Sequence, residues 1–148
     1  MNTREVEQLL KDDVKVGPIF TGVFACNQLP REVTYPSALV MNTDPHYLPG
    51  EHWVAAYFTS DGRGEYFDSY GRRPLGPMKT MMNRCAWSVK YNQKIVQGLL
   101  ASTCGHYCAY YLLHRARGMD MHDIVKVFGR DLQKNDQYVF SFVEDFMY

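Results

Sequence analysis

The segment from His52 to Asp68 constrains the fold more than any other. His52–Thr59 is apolar on both faces, the pattern of a strand buried inside a sheet and not at its rim. Asp61-Gly62 follows as a tight-turn dipeptide, and Glu65–Asp68 continues as a partner strand. A β-hairpin at the centre of a sheet is expected, with His52 opening one arm and Asp68 closing the other. Antiparallel pairing of arms of about eight residues brings both to the same edge of the sheet.

The remaining elements arrange themselves around that hairpin. Asn2 or Thr3 can cap a first helix, with Glu5 at the capping-box position and Val6, Leu9 and Leu10 forming an apolar stripe. Gly17-Pro18 should end it. Ile19–Phe24 and Ala38–Met41 are short β-prone runs, and Trp87–Tyr91 alternates as a strand. Pro77 can start a short helix through Arg84. Cys104–Arg117 reads as a helix stopped by Gly118. Asp120 caps another through Phe128, and Asn135 is expected to cap the last, whose Val139, Phe142, Val143 and Phe146 share one face. This order predicts an α+β fold, with helices packed on one mostly antiparallel sheet.

With 148 residues the chain has the length of one domain, expected to span residues 1–148. Hydrophobic residues at 46% and charged residues at 22% exclude disorder as its main state. The longest wholly apolar run, Trp53–Phe58, is far short of the ~20 residues that span a bilayer, so no membrane partner is expected. Met1–Asp13 does not read as a secretory signal. Cys26, Cys85, Cys104 and Cys108 are therefore read as intracellular thiols and not as a disulfide framework. Sixteen Lys and Arg balance sixteen Asp and Glu, so any attraction for DNA must come from a local patch, to which Arg72, Arg73, Arg115 and Arg117 could contribute.

Four polar residues suggest chemistry. A cysteine nucleophile needs a base, the base needs a group that fixes its tautomer, and the tetrahedral intermediate needs donors for its oxyanion. Cys104, His52, Asp68 and Gln97 can fill those roles in that order. Cys104 sits where a helix begins, so unpaired N–H groups and the helix dipole favour its thiolate. Gly105 permits close approach of a substrate backbone, and N–H groups near Cys104 can join Gln97 around an oxyanion. Each residue also has a plainer use: Asp68 as a turn former, Cys104 as a small helical hydrophobe. A zinc site from Cys104, His106, Cys108 and His114 is disfavoured. His106 points to another side of the helix, His114 lies about 15 Å along it, and no CxxC pair exists. Neither a P-loop nor a GxSxG serine is present.

At these positions the sequence resembles adenain, the adenovirus-type cysteine endopeptidase. His52-Trp53 on a strand, Phe67-Asp68-x-Tyr70-Gly71 after it, and Gln97-Gly98 ahead of Cys104-Gly105 carry the likeness, with Cys108 where the family often has a second cysteine. Val16-Gly17-Pro18-x-Phe20-x-Gly22, Asn42-Thr43 and Tyr138–Val143 extend it along most of the chain. The acid is Asp68 where the best-known members carry Glu. The chain is also shorter than typical adenovirus enzymes, as if part of their C-terminal region were lacking. The resemblance is that of a divergent member, from an unusual adenovirus, a related virus or a Polinton-like element.

The resemblance implies a papain-related protease fold of the adenain and SUMO-protease type, hydrolysing peptide bonds through an acyl-enzyme. Cys104 would attack, His52 serve as base then acid, Asp68 orient His52, and Gln97 stabilise the oxyanion, with Trp53 packing beside the imidazole. It also implies viral precursor proteins as substrates, cleaved at Gly-containing sites during virion maturation in the host nucleus and virion. An activating peptide and DNA would assist, and no metal would be required. Cys85, in an Arg-Cys context like the family's, would be accessible and form a disulfide to that peptide. SUMO-specific and other ubiquitin-like protein proteases share the order of the four residues and give an alternative. A non-catalytic binding module on the same fold is another.

Overall fold

The computed structural model describes residues 1–47, 52–98 and 102–147. In chain order the elements are helix α1 (Thr3–Asp12), a 3-10 turn (Gly17–Ile19), strands β1 (Phe20–Ala25), β2 (Ser37–Asn42), β3 (Trp53–Phe58) and β4 (Arg63–Phe67), helix α2 (Gly76–Cys85), strand β5 (Ser88–Tyr91), and helices α3 (Cys104–Arg115), α4 (Met121–Lys126) and α5 (Leu132–Met147). The strands form one sheet in the order β1-β2-β3-β4-β5. The two inner pairs, β2–β3 and β3–β4, are antiparallel, whereas β1–β2 and β4–β5 are parallel. The sheet is thus mixed, where the sequence pattern predicts a mostly antiparallel one. The outer strands are reached by longer connections than a hairpin allows, and such crossovers can return a strand in the parallel sense.

The doubly apolar pattern of β3 follows from its central position. Trp53 and Ala55 face one core with Ala38 and Val40 of β2, Phe67 of β4 and the buried side of α3. Val54, Ala56 and Phe58 face a second core with Leu39, Met41 and the α2 methionines Met78, Met81 and Met82. Helices therefore cover both faces of the sheet. Helix α3 is buried from Gly105 through Leu113 and packs on β3, α1 and α5; Tyr111 stacks on Phe67 with ring centroids 4.6 Å apart. The buried Glu65 accepts hydrogen bonds from Arg115 at 2.9 and 3.2 Å and from the Tyr111 hydroxyl at 2.6 Å, so this buried charge is paired and tied to α3.

The capping box of α1 forms as its sequence predicts: the Asn2 side chain accepts from Glu5 N at 2.9 Å, and Glu5 accepts from Asn2 N at 3.1 Å. The helix ends at Asp12, ahead of Gly17-Pro18. Asp13 takes over there, accepting from Lys15 N and Val16 N and pairing with Arg117 at 2.7 Å. The start of α5 also departs from expectation. Asn135 lies inside the helix and is buried, and Asp131 instead accepts from Lys134 N at 3.2 Å. Among the described residues, no helix is long and apolar enough to cross a membrane.

Candidate active site

The hairpin places the base and the acid. β3 and β4 pair with Ala55 opposite Phe67 and Phe58 opposite Gly64, so the open end of the hairpin carries His52 on one side and Asp68 on the other. His52 Nε2 lies 2.7 Å from Asp68 Oδ1, and both side chains are almost fully buried. Extending the register sets Tyr70 across from His52, and the two rings stack at 4.6 Å. Tyr70, not Trp53, is thus the ring stacked on the imidazole; Trp53 belongs to the core beneath α3. Arg72 lies over the outer face of Tyr70 at 5.0 Å, a cation–π contact.

Asp68 is held by more than the imidazole. Its Oδ1 also accepts from Tyr70 N at 2.8 Å. Its main chain is bracketed by the buried Asn92 side chain: Asp68 N donates to Asn92 Oδ1 at 2.9 Å, and Asn92 Nδ2 donates to Asp68 O at 2.6 Å. The turn closes with Gly71 N donating to Asp68 O at 2.7 Å. Gly71 has φ +72°, and a Cβ there would meet the Lys94 backbone at 2.8 Å, so glycine is required on both counts.

Cys104 is the first residue of α3, and Thr103 before it provides no side-chain cap. Of the N–H groups at this helix start, that of Gly105 acts on the sulfur. The thiol hydrogen-bonds with His52 and receives the backbone N–H groups of Trp53 and Gly105. Burial pushes the thiol up, but the His52 hydrogen bond, the two backbone donors and the imidazolium charge outweigh it, leaving the thiol below its ordinary value. Burial likewise works against a charged His52; the hydrogen bonds and negative charges of Asp68 and Cys104 overcome it and raise the imidazole to about 9. Because Nε2 is on Asp68, Nδ1 is the nitrogen left for the sulfur. The other cysteines with shifted thiols go the opposite way: burial raises both Cys85 and Cys108.

Gln97 is fully buried and joins the group through Ser69. The Ser69 hydroxyl donates to Gln97 Oε1, and Ser69 O accepts from Val96 N at 2.9 Å and Gln97 N at 3.1 Å. Helix α5 secures the same strand of chain. Asn135 Nδ2 donates to Val96 O at 3.1 Å, and the Asp136 carboxylate accepts from Gly98 N at 3.2 Å and from the Tyr107 hydroxyl at 2.8 Å. A Cβ on Gly98 would meet Asp136 at 2.9 Å. Ser69, Asn92, Asn135 and Asp136 are the supports that sequence reasoning misses. Ser69, next to Asp68, lies in a segment that the sequence singles out for chemistry, and Asn135 is expected only as a helix cap.

Two expectations need correction. Cys85 is 6% exposed, its Sγ 3.7 Å from Arg31 O, so it is not the accessible attachment point expected for a peptide. Two of the four arginines proposed for a DNA patch are engaged in ion pairs, Arg115 with Glu65 and Arg117 with Asp13. Glu51 and Ala101, which flank His52 and Ser102 in the motifs, lie outside the described residues. A cleft of about 640 Å³ between α1 and the end of α5 contains none of the four site residues. One of about 450 Å³ reaches Trp53, beside the N-terminus of α1 and the ends of β1 and β2.

No protein-family model matches the chain. The crystal structure of the African swine fever virus pS273R protease superposes with a TM-score of 0.67 at 19% identity, covering 93% of this chain and 65% of that one. The chain has a cysteine-protease fold of the adenain and SUMO-protease type. Chlamydia trachomatis effector protein Cdu1, solved bound to ubiquitin, superposes with a TM-score of 0.53 at 16% identity, over 75% of this chain and 60% of its own. In sequence, the chain is 35% identical over 92 residues to cysteine protease S273R of African swine fever virus (isolate Tick/Malawi/Lil 20-1/1983), over 53% of this chain and 32% of the relative. The chain thus spans about a third of the length of that curated relative. The named likeness is to an African swine fever virus enzyme, where the motifs suggested an adenovirus-type one.

Proposed function

We propose that the chain is a cysteine endopeptidase acting on protein substrates, with viral precursor proteins cleaved at Gly-containing sites as the first class to test. The observation that carries this reading is the contact of Cys104 with His52, with the thiol held down and the imidazole raised to about 9. A buried cysteine with only a packing role keeps its proton, as Cys108 does. The pair in contact is poised as thiolate and imidazolium, the form that attacks a carbonyl without prior proton removal.

In this mechanism the Cys104 sulfur adds to the scissile carbonyl carbon, and the negative charge moves to the carbonyl oxygen. The Gln97 amide and main-chain N–H groups at the start of α3 stabilise that oxygen. His52 gives its proton to the departing amine, the C–N bond breaks, and a thioester remains. His52 then takes a proton from water, whose oxygen attacks the thioester and returns Cys104 as the thiolate. Asp68 holds the imidazole in register and stabilises its charged form throughout.

The viral relative supports the precursor-protein reading. A second reading, a ubiquitin-like protein as substrate, is favoured by the solved neighbour that holds ubiquitin. Purified chain and its Cys104→Ala variant, offered quenched Gly-containing peptides alongside ubiquitin and SUMO fusions, separate the two. Cleavage of the peptides by the unmodified chain alone supports the first reading, and selective cleavage of the fusions the second. No cleavage of either, or equal cleavage by Cys104→Ala, overturns the assignment.

A further inference from the structure

We propose that Arg72 is a specificity-determining residue that binds an acidic side chain on the leaving side of the scissile bond, an inference that rests on the peptidase reading above. Arg72 and Arg73 follow the turn that carries Asp68, and both are exposed. Arg63, Arg115 and Arg117 are paired with Asp61, Glu65 and Asp13; among the described residues, Arg72 and Arg73 make neither an ion pair nor a hydrogen bond. The contact that Arg72 does make is with the Tyr70 ring, at 5.0 Å. That contact holds the guanidinium by its face and leaves its N–H edge free, the edge that a carboxylate binds through two hydrogen bonds. A side chain already ordered on a ring loses less freedom when a ligand arrives.

Tyr70 ties this cation to the base. The ring stacks on the His52 imidazole at 4.6 Å, so His52, Tyr70 and Arg72 form one column. The sheet order places β2 on one side of β3 and β4 on the other. The cleft of about 450 Å³ that reaches Trp53 lies toward β2, and the Trp53 N–H also meets the Cys104 sulfur. The column lies toward β4, past Asp68. The acyl half of a substrate, bonded to the sulfur, takes the first direction. The amine half, protonated by His52, departs along the second. An extended chain advances about 3.3–3.6 Å per residue, so side chains two and three residues past the cut come within reach of a guanidinium one ring beyond the imidazole. The Asp68 carboxylate is buried and given to His52, which leaves Arg72 to the substrate.

The test uses the full chain as wild type, Arg72→Ala and Arg72→Glu. The probe is a Gly-containing quenched peptide made in three forms, with Glu, Gln or Lys at both the second and the third position after the scissile bond. The readout is kcat/KM for each form. In the wild type the Glu peptide should exceed the Lys peptide by about 10-fold at low salt, and the gap should close to about twofold in about 1 M salt. Arg72→Ala should remove the ranking, and Arg72→Glu should invert it, a gain that loss of folding cannot imitate. An unchanged ranking in Arg72→Glu, or loss of cleavage of all three peptides in that variant, would overturn the proposal. An unchanged ranking together with lost binding of a labelled DNA duplex would assign the arginine to DNA instead. A wild-type chain that cleaves none of the peptides would defeat the peptidase reading itself, and the proposal with it.

Discussion

His52 and His106 are both buried, and each presents Nε2 to a carboxylate: Asp68 at 2.7 Å in one case, Glu144 at 3.2 Å in the other. Their titrations nevertheless move in opposite directions. Burial lowers His106, and the hydrogen bond to Glu144 does not reverse it. His52 suffers the same burial and is still raised to about 9. The positive charge of the Met1 α-ammonium also lowers His106, and two further differences separate the pair. The side chain of Asp68 is 3% exposed, against 34% for Glu144, so water screens the Glu144 charge far more. The second nitrogen of His52 faces a sulfur that becomes negative, whereas Nδ1 of His106 has no hydrogen-bond partner among the described residues. A carboxylate alone does not make a buried histidine a base; a desolvated carboxylate on one side and an anion on the other do.

Substitutions can break that contrast, beginning with the largest effect. Cys104→Ala should abolish cleavage with the fold retained, while His106→Gln should leave turnover within about threefold, since His106 touches none of the reacting groups. Circular dichroism beside a peptide assay checks both. Asp68→Asn should cost about 10⁴-fold in kcat through the wrong imidazole tautomer, and Glu144→Gln less than about twofold. Equal, small losses in the two would reduce Asp68 to a turn residue. The pH profile has a definite sign. Activity requires a charged His52, so it should fall as pH rises through about 9 in the wild type. In any residual activity of Asp68→Asn that limb should move to lower pH, because the bond and charge that favour imidazolium are gone.

Smaller effects probe the supports. Asn92→Ala removes both bonds that bracket the Asp68 main chain. It should cost about 2 kcal/mol in denaturant unfolding and lower kcat more than it raises KM. Cys108 is buried in the α3 core one turn beyond Cys104, and Cys108→Ala should cost about 1 kcal/mol of stability with turnover kept. A loss of turnover with stability unchanged would give Cys108 a role that its raised thiol argues against.

Local patterns in the sequence announced the hairpin, its buried central strand and the three residues His52, Asp68 and Cys104, because strand alternation, turn dipeptides and a helix start are short-range signals. The parallel sense of β1 and β5 is set by crossover connections and leaves no such mark. Asn135 shows how a local rule fails: Asn is a good helix cap, but here its amide is needed inside the helix, on Val96 O and Gly129. Asn92 supports Asp68 from 24 residues away, and nothing in its own neighbourhood distinguishes it from a loop residue. The motif context of Cys85 points to an accessible thiol, whereas its burial depends on the chain around Arg31, far from it in sequence.

The central claim is that Cys104 and His52 form an ion pair before substrate arrives. Alkylation by iodoacetamide, followed residue by residue with mass spectrometry from about pH 5 to pH 10, measures this directly, because only a thiolate reacts. The account predicts that Cys104 already reacts at about pH 6, well below the free-thiol range near 8.5, while Cys85 and Cys108 stay unreactive in the folded protein. A Cys104 that gains reactivity only in the free-thiol range, with a profile unchanged by Asp68→Asn, would contradict it.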